Sequence, residues 1–207
     1  MKKVIVLPLA VVFVAAFSCK KAKKETQQEE ETKPVYSVVE DSTDIRFTAY
    51  KTTEKKPVGG SFTKVTYTYT ASETPMETLN GLEFSIPVSS LFTNDTTNTR
   101  DPKILHFFFG VMENTELING VLEFDENKNC SAKLSMNGVS ADLPMEYEMT
   151  DDNHVTFSGT MNLAKWNALD ALASLNKACF QLHTGPDGVS KTWEDVAVKA
   201  SILLEKK

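Results

Sequence analysis

Residues 132–149 read Ala-Lys-Leu-Ser-Met-Asn-Gly-Val-Ser-Ala-Asp-Leu-Pro-Met-Glu-Tyr-Glu-Met. Ala132, Leu134 and Met136 alternate with Lys133 and Ser135, and beyond Asn137-Gly138 the apolar set Val139, Ala141, Leu143, Met145, Tyr147 and Met149 alternates with Ser140, Asp142, Pro144, Glu146 and Glu148. Side chains two apart on an extended chain share a face, so the period predicts two strands with one apolar and one wet side. Asn-Gly tolerates the left-handed backbone that a two-residue hairpin turn needs, which pairs the two strands antiparallel.

The same alternation recurs along the chain. Ile45, Phe47 and Ala49 flank Arg46 and Thr48; Val65, Tyr67 and Tyr69 interleave with threonines; Leu82, Phe84, Ile86 and Val88 follow. Leu122 and Phe124 flank Glu123, Val155, Phe157 and Met161 come after the turn at Asp151-Asp152-Asn153, and Val196, Val198, Ala200, Ile202 and Leu204 close the chain. This predicts an all-β, antiparallel, single domain over 35–207, each strand covered on one face only. The one long helical candidate is 163–176, where Trp166, Leu169, Leu172 and Ala173 share a face. One helix cannot cap about eight strands, so the sheet must close into a barrel or fold into a sandwich, with that helix across one end. Asp101-Pro102 predicts a second, short helix, with the carboxylate at its start and proline in its first turn. A barrel of about eight strands is either filled by its own side chains or hollow enough for one small ligand. Small inward residues (Ala49, Ala132, Ala141, Gly159, Ala200) beside large aromatic ones leave space in places, but the same mix can interlock, and composition alone favours a filled core.

With 207 residues, 41% of them hydrophobic, the chain supports one sizeable core. Ahead of it, Lys2 and Lys3 precede an apolar run over 4–17 that rises only about 21 Å as a helix, short of a hydrocarbon core of roughly 30 Å, so 1–18 reads as an export signal. Its end resembles a bacterial lipoprotein signal, which implies acylation of Cys19 and a membrane anchor in the bacterial cell envelope; Ala16 and Ser18 also suit an ordinary signal peptidase, so simple secretion is the alternative. Residues 19–34 carry no apolar side chain larger than alanine beyond Cys19 and read as a disordered tether. The four lysines next to Cys19 (Lys20, Lys21, Lys23 and Lys24) would rest on anionic headgroups, at up to ~1 kcal/mol each, or the segment serves only as a solubilising spacer. Without Lys2 and Lys3 the formal charge moves from −6 to −8, which excludes nucleic-acid binding by phosphate neutralisation. Cys130 and Cys179 are the other cysteines; an oxidising compartment would permit one bridge between them, and two unrelated thiols are the alternative.

No metal, cofactor or catalytic set emerges. His106, His154 and His183 stand at no ligand spacing from one another or from a cysteine, and no nucleophile elbow or phosphate loop is present. Arg100-Asp101 reads as a helix start and loop anchor, and Gly59-Gly60 as a tight bend or bulge.

Several motifs together resemble the YceI-like family: Val58-Gly59-Gly60-Ser61-Phe62 after an opening strand, Ser90-Leu91-Phe92-Thr93, Arg100-Asp101, Phe107-Phe108-Phe109, the hairpin at 134–139 and the closing segment 196–202, in that order. The resemblance spans about 36–207. It implies a lipocalin-like barrel whose apolar bore holds a long amphiphile such as a polyisoprenoid or a fatty-acid-like lipid. The expected bore residues are Ile45, Phe47, Tyr67, Tyr69, Phe84, Ile86, Leu134, Met145, Tyr147 and Phe157, with tyrosine hydroxyls available to a polar head. A ligand-free barrel serving as an interaction or adhesion module is the competing expectation.

Overall fold

In the computed structural model, which describes residues 33–207, each alternating segment contains a strand. The expected signal segment, Cys19 and almost all of the expected tether lie outside the described residues. The strands are β1 (Tyr36–Val38), β2 (Asp44–Lys51), β3 (Lys56–Phe62), β4 (Thr66–Thr68), β5 (Glu83–Pro87), β6 (Leu91–Phe92), β7 (Leu117–Phe124), β8 (Cys130–Met136), β9 (Val139–Met149), β10 (His154–Asn162) and β11 (Asp195–Lys206). The β8–β9 hairpin forms as its sequence dictates: Met136 pairs with Val139, and Asn137 and Gly138 both take positive φ, +53° and +69°.

All neighbours are antiparallel, in the order β4-β5-β7-β8-β9-β10-β11-β2-β3-β6. The ends of that order are joined by the chain itself. β3 runs on into β4, and β5 runs through a 3-10 turn (Val88–Ser90) into β6. Tyr67 faces Phe84 along one half of this pair, Phe62 faces Leu91 along the other, and the Thr63 amide donates to the Ser90 carbonyl at 2.9 Å between them. Two bent strands, 56–68 and 83–92, therefore pair along both halves and close an eight-stranded barrel. β1 adds a short antiparallel extension to the end of β11, Tyr36 opposite Lys206. The expected antiparallel, lipocalin-like barrel is the fold found.

The helices gather mainly at one end. α2 (Arg100–Phe107) and α3 (Leu169–Ala178) pack on one another over the barrel end where β10 finishes, and α4 (Phe180–His183) follows. The expected single helix over 163–176 is broken in two. A 3-10 turn (Leu163–Trp166) comes first, capped by Asn162 Oδ1 accepting from the Ala164 amide, and Asn167 at φ +52° ends it before α3 begins. The start of α2 also differs from expectation. Asp95 Oδ2 accepts from the Thr99 and Arg100 amides, whereas the Asp101 carboxylate turns back to accept from the amide and hydroxyl of Thr93, making it the loop anchor rather than the cap. A further helix, α1 (Pro75–Leu79), carries a capping box between Thr74 and Glu77. Among the described residues no helix is long and apolar enough to cross a membrane.

Cys130 and Cys179 are free, buried thiols. Cys130 opens β8 at the end remote from the helices, roughly 20 Å of strand from Met136. Asn137, next to Met136, donates from Nδ2 to the Trp166 and Asn167 carbonyls, both at 3.0 Å, which ties that other end of β8 to the helical cap where Cys179 ends α3. A bridge needs Cα atoms within about 7 Å, so the fold separates the pair that the sequence left open.

Candidate ligand-binding cavity

The barrel is hollow in one half and solid in the other. In the half away from α2 and α3, where α1 lies, Leu79, Leu82 and Val155 are fully buried and Leu204 is 1% exposed, and Phe124, Tyr147 and Tyr69 pack against the same core. Toward the helices the same inward faces surround an apolar cavity of about 220 Å³. Its walls are residues of β2 to β11, and its roof is Ile104, Phe108 and Phe109 from the α2 region, Leu172 and Leu175 from α3, and Thr192 and Trp193 from the segment leading into β11.

Two glycines keep it open. Gly60 stands opposite Phe47 across the β2–β3 ladder, and Gly120 opposite Phe84 across β5–β7. A Cβ at residue 60 would meet Phe47 Cζ at 2.4 Å, and one at residue 120 would meet Phe84 Cζ at 2.3 Å and Leu134 Cδ2 at 2.8 Å. Each ring thus lies against the wall, in the space a side chain would take, rather than standing across the bore. Gly59-Gly60 makes no bend: both residues hold register inside β3, opposite Thr48 and Phe47, so the expected bulge is absent and the second glycine serves the ring.

Eight of the ten expected bore residues line the cavity: Ile45, Phe47, Tyr67, Phe84, Ile86, Leu134, Met145 and Phe157. Tyr69 and Tyr147 do not. The Tyr69 hydroxyl accepts from the Val38 amide at 3.1 Å, and the Tyr147 ring meets Phe124 edge-on at 5.3 Å and Phe157 at 6.3 Å, so both belong to the packed half beneath. Ile104, Phe108, Phe109 and Leu175 of the roof were not among the expected bore residues, although the sequence placed a helix with Leu172 on its apolar face across one end of the barrel.

Tyr67 is the polar handle of the lining. Burial pushes its phenol up to about 12, the Thr43 hydroxyl beside it pulls the other way, and the charge of Glu40 adds to the rise, so at neutral pH it is an O–H that can donate. At the roof, Trp193 Nε1 donates to the Thr52 carbonyl at 2.7 Å, and the ammonium groups of Lys191 and Lys55 stand 3.6 and 4.3 Å from its ring centre. Among the described residues no group of three His, Cys, Asp or Glu side chains could hold a metal ion. An enclosure that is almost wholly apolar, with the Tyr67 phenol in its wall and the Thr192 hydroxyl in its roof, can hold a hydrocarbon chain and orient a polar group.

Solved structures share this fold. A polyisoprenoid binding domain from Saccharophagus degradans, implicated in plant cell wall breakdown, superposes with a TM-score of 0.60 over 83% of this chain and 98% of that one, at 12% identity. Burkholderia cenocepacia BcnA superposes with a TM-score of 0.53 over 82% of this chain and 99% of that one, at 13% identity. No family model matches the sequence, and no curated protein matches it.

Proposed function

We propose that this barrel binds and carries an apolar or amphiphilic chain molecule, of the polyisoprenoid or fatty-acid class, and that it is a divergent member of the YceI-like family. The observation that carries the reading is the half-hollow bore: an apolar cavity of about 220 Å³, kept open by glycines under Phe47 and Phe84. The fold shared with a polyisoprenoid binding domain supports the same class of cargo. The activity proposed is binding without chemistry. The hydrocarbon would fill the cavity by displacing little more than poorly held water, and Tyr67 would orient a polar group.

The place of action proposed is the bacterial envelope. Lys2, Lys3, the apolar run over 4–17 and Cys19 support export and acylation. The test is to purify the full chain from a bacterial envelope and identify copurifying lipids by mass spectrometry. A stoichiometric apolar chain compound is expected; failure to recover one, together with failure to load any amphiphile in vitro, overturns the reading. For the anchor, Cys19→Ala is expected to release the protein from membranes, and continued partitioning to the membrane fraction refutes acylation.

A further inference from the structure

Large apolar side chains are gathered, still exposed, on one projection beside the cavity roof. Phe180 and Leu182 of α4 and Val189 of the following loop are 57%, 56% and 49% exposed. The segment 180–191 folds back on itself: the Gly185 amide donates to the Val189 carbonyl at 2.9 Å, the Lys191 amide to the His183 carbonyl at 3.1 Å, and Ser190 Oγ to the Phe180 carbonyl at 3.1 Å. It is tied to the barrel by Lys51 Nζ donating to the Leu182 carbonyl at 3.0 Å, and just past its end Thr192 Oγ1 donates to Asn176 Oδ1 of α3 at 2.8 Å. A rigidly held tip that keeps phenylalanine and leucine in water has no purpose in the barrel's own packing.

We propose that this tip docks on the surface of a lipid bilayer carrying anionic headgroups, with Phe180, Leu182 and Val189 entering the boundary between headgroup and acyl chain. The inference rests in part on the cargo reading above, because it places the roof residues Thr192 and Trp193, one strand step from the tip, next to the phase from which an apolar chain would be drawn. It also stands on charge. Lys51, Lys55 and Lys191 flank the tip; the exposed Asp187 carboxylate beside them is occupied by hydrogen bonds, accepting from Thr53 Oγ1 at 2.7 Å and from the Val189 amide at 3.1 Å, and Glu54 is a further carboxylate in this stretch, so the lysines outnumber these two acids. Apolar side chains flanked by an excess of lysines suit phosphate-bearing lipid. A two-fold dimer through the same face would bring two sets of those lysines into one interface, which like-charge repulsion opposes.

The test uses the full chain carrying Cys19→Ala, so that acylation cannot hold it to lipid, and two readouts: flotation with phosphatidylcholine vesicles containing one quarter phosphatidylglycerol, and loading with the fluorescent fatty acid cis-parinaric acid. Phe180→Asp/Leu182→Asp is expected to lose vesicle binding by at least about tenfold, and Lys55→Glu/Lys191→Glu to lose most of it at low salt. Neither residue of the aspartate pair lines the cavity, so parinaric acid loading stays within about twofold. Vesicle binding that persists in the aspartate variant, absence of binding by the parent chain, or binding replaced by concentration-dependent dimerisation overturns the docking surface. Failure of the parent chain to load parinaric acid, while it binds vesicles and the aspartate variant does not, would instead strike the cavity reading and leave this one standing.

Discussion

Phe84 faces Gly120 across the β5–β7 ladder, and its ring occupies the space a side chain at residue 120 would fill. The bore is therefore wide where it is wide because a strand position lacks a Cβ. A side chain added there must push the ring inward, since Leu134 blocks the other direction. Gly120→Val is expected to fold with a loss of roughly 1–3 kcal/mol from overpacking and to lose most capacity for cis-parinaric acid. Titration of the probe alongside a thermal melt separates the two effects; unchanged loading in a folded variant would mean that the ring has another place to go.

Phe157, which lines the cavity, is backed in the packed half by Tyr147, directly opposite it on β9 and edge-on to Phe124 at 5.3 Å. Tyr147→Ala removes that backing, at a cost of about 3 kcal/mol, and lets the bore deepen past Phe157 toward the packed half. Cargo extracted from the variant should shift to longer chains by mass spectrometry, while Tyr147→Phe, which keeps the ring, should not move the distribution. The same chain lengths in a stable Tyr147→Ala protein would place the limit elsewhere.

How much of this was legible follows from what a period of two can encode. It reports which face a side chain takes, so the hairpin at Asn137-Gly138 and the inward set of β8 to β10 could be read directly. It does not report height along the barrel. Tyr69 and Tyr147 share their face with Tyr67 and Met145 yet lie below the cavity, because depth is fixed by the stagger between strands. Closure through two bent strands was equally hidden, since it depends on the 3-10 turn at Val88–Ser90 rather than on any alternation. α1, by contrast, had a readable signal in Thr74-Pro75-Met76-Glu77. The broken helix near Asn167 is a case where apolar spacing continues across a residue whose own backbone is left-handed.

The thiols give a prediction about chemistry that should not happen. Burial pushes Cys130 up to about 11 and raises Cys179 as well, with Lys103 and Lys51 partly opposing the second shift. Thiolate is the reactive form, so both should resist iodoacetamide at pH 8 in the native protein and react together after unfolding. Reductant should leave the melting temperature unchanged. An intact mass short by two hydrogens, restored by reductant, would mean that the two cysteines can meet after all.

His183 sits behind the projecting tip, its Nδ1 2.7 Å from Thr192 Oγ1 and 3.3 Å from Asn176 Oδ1. Burial, with the nearby Lys51 charge adding to it, lowers its pKa to about 4. With Nδ1–H donating to Thr192 and that hydroxyl donating on to Asn176, the ring is satisfied as the neutral tautomer, and a second proton would enter a half-buried site facing an ammonium. Because the folded value lies below the unfolded value of about 6.5, the open or unfolded state binds the proton first. The contribution is fully present above pH 6.5 and is lost as pH falls toward 4, by roughly 1–2 kcal/mol once solvent access is allowed for. Since His183 also lends its carbonyl to the Lys191 amide, the loss should fall on the fold-back of 180–191. Hydrogen exchange in that segment, corrected for intrinsic rate, is expected to quicken between pH 7 and pH 5 while the β8–β9 hairpin stays protected, and His183→Gln should abolish the difference. Uniform exchange changes across the barrel would instead tie the acid sensitivity to the fold as a whole.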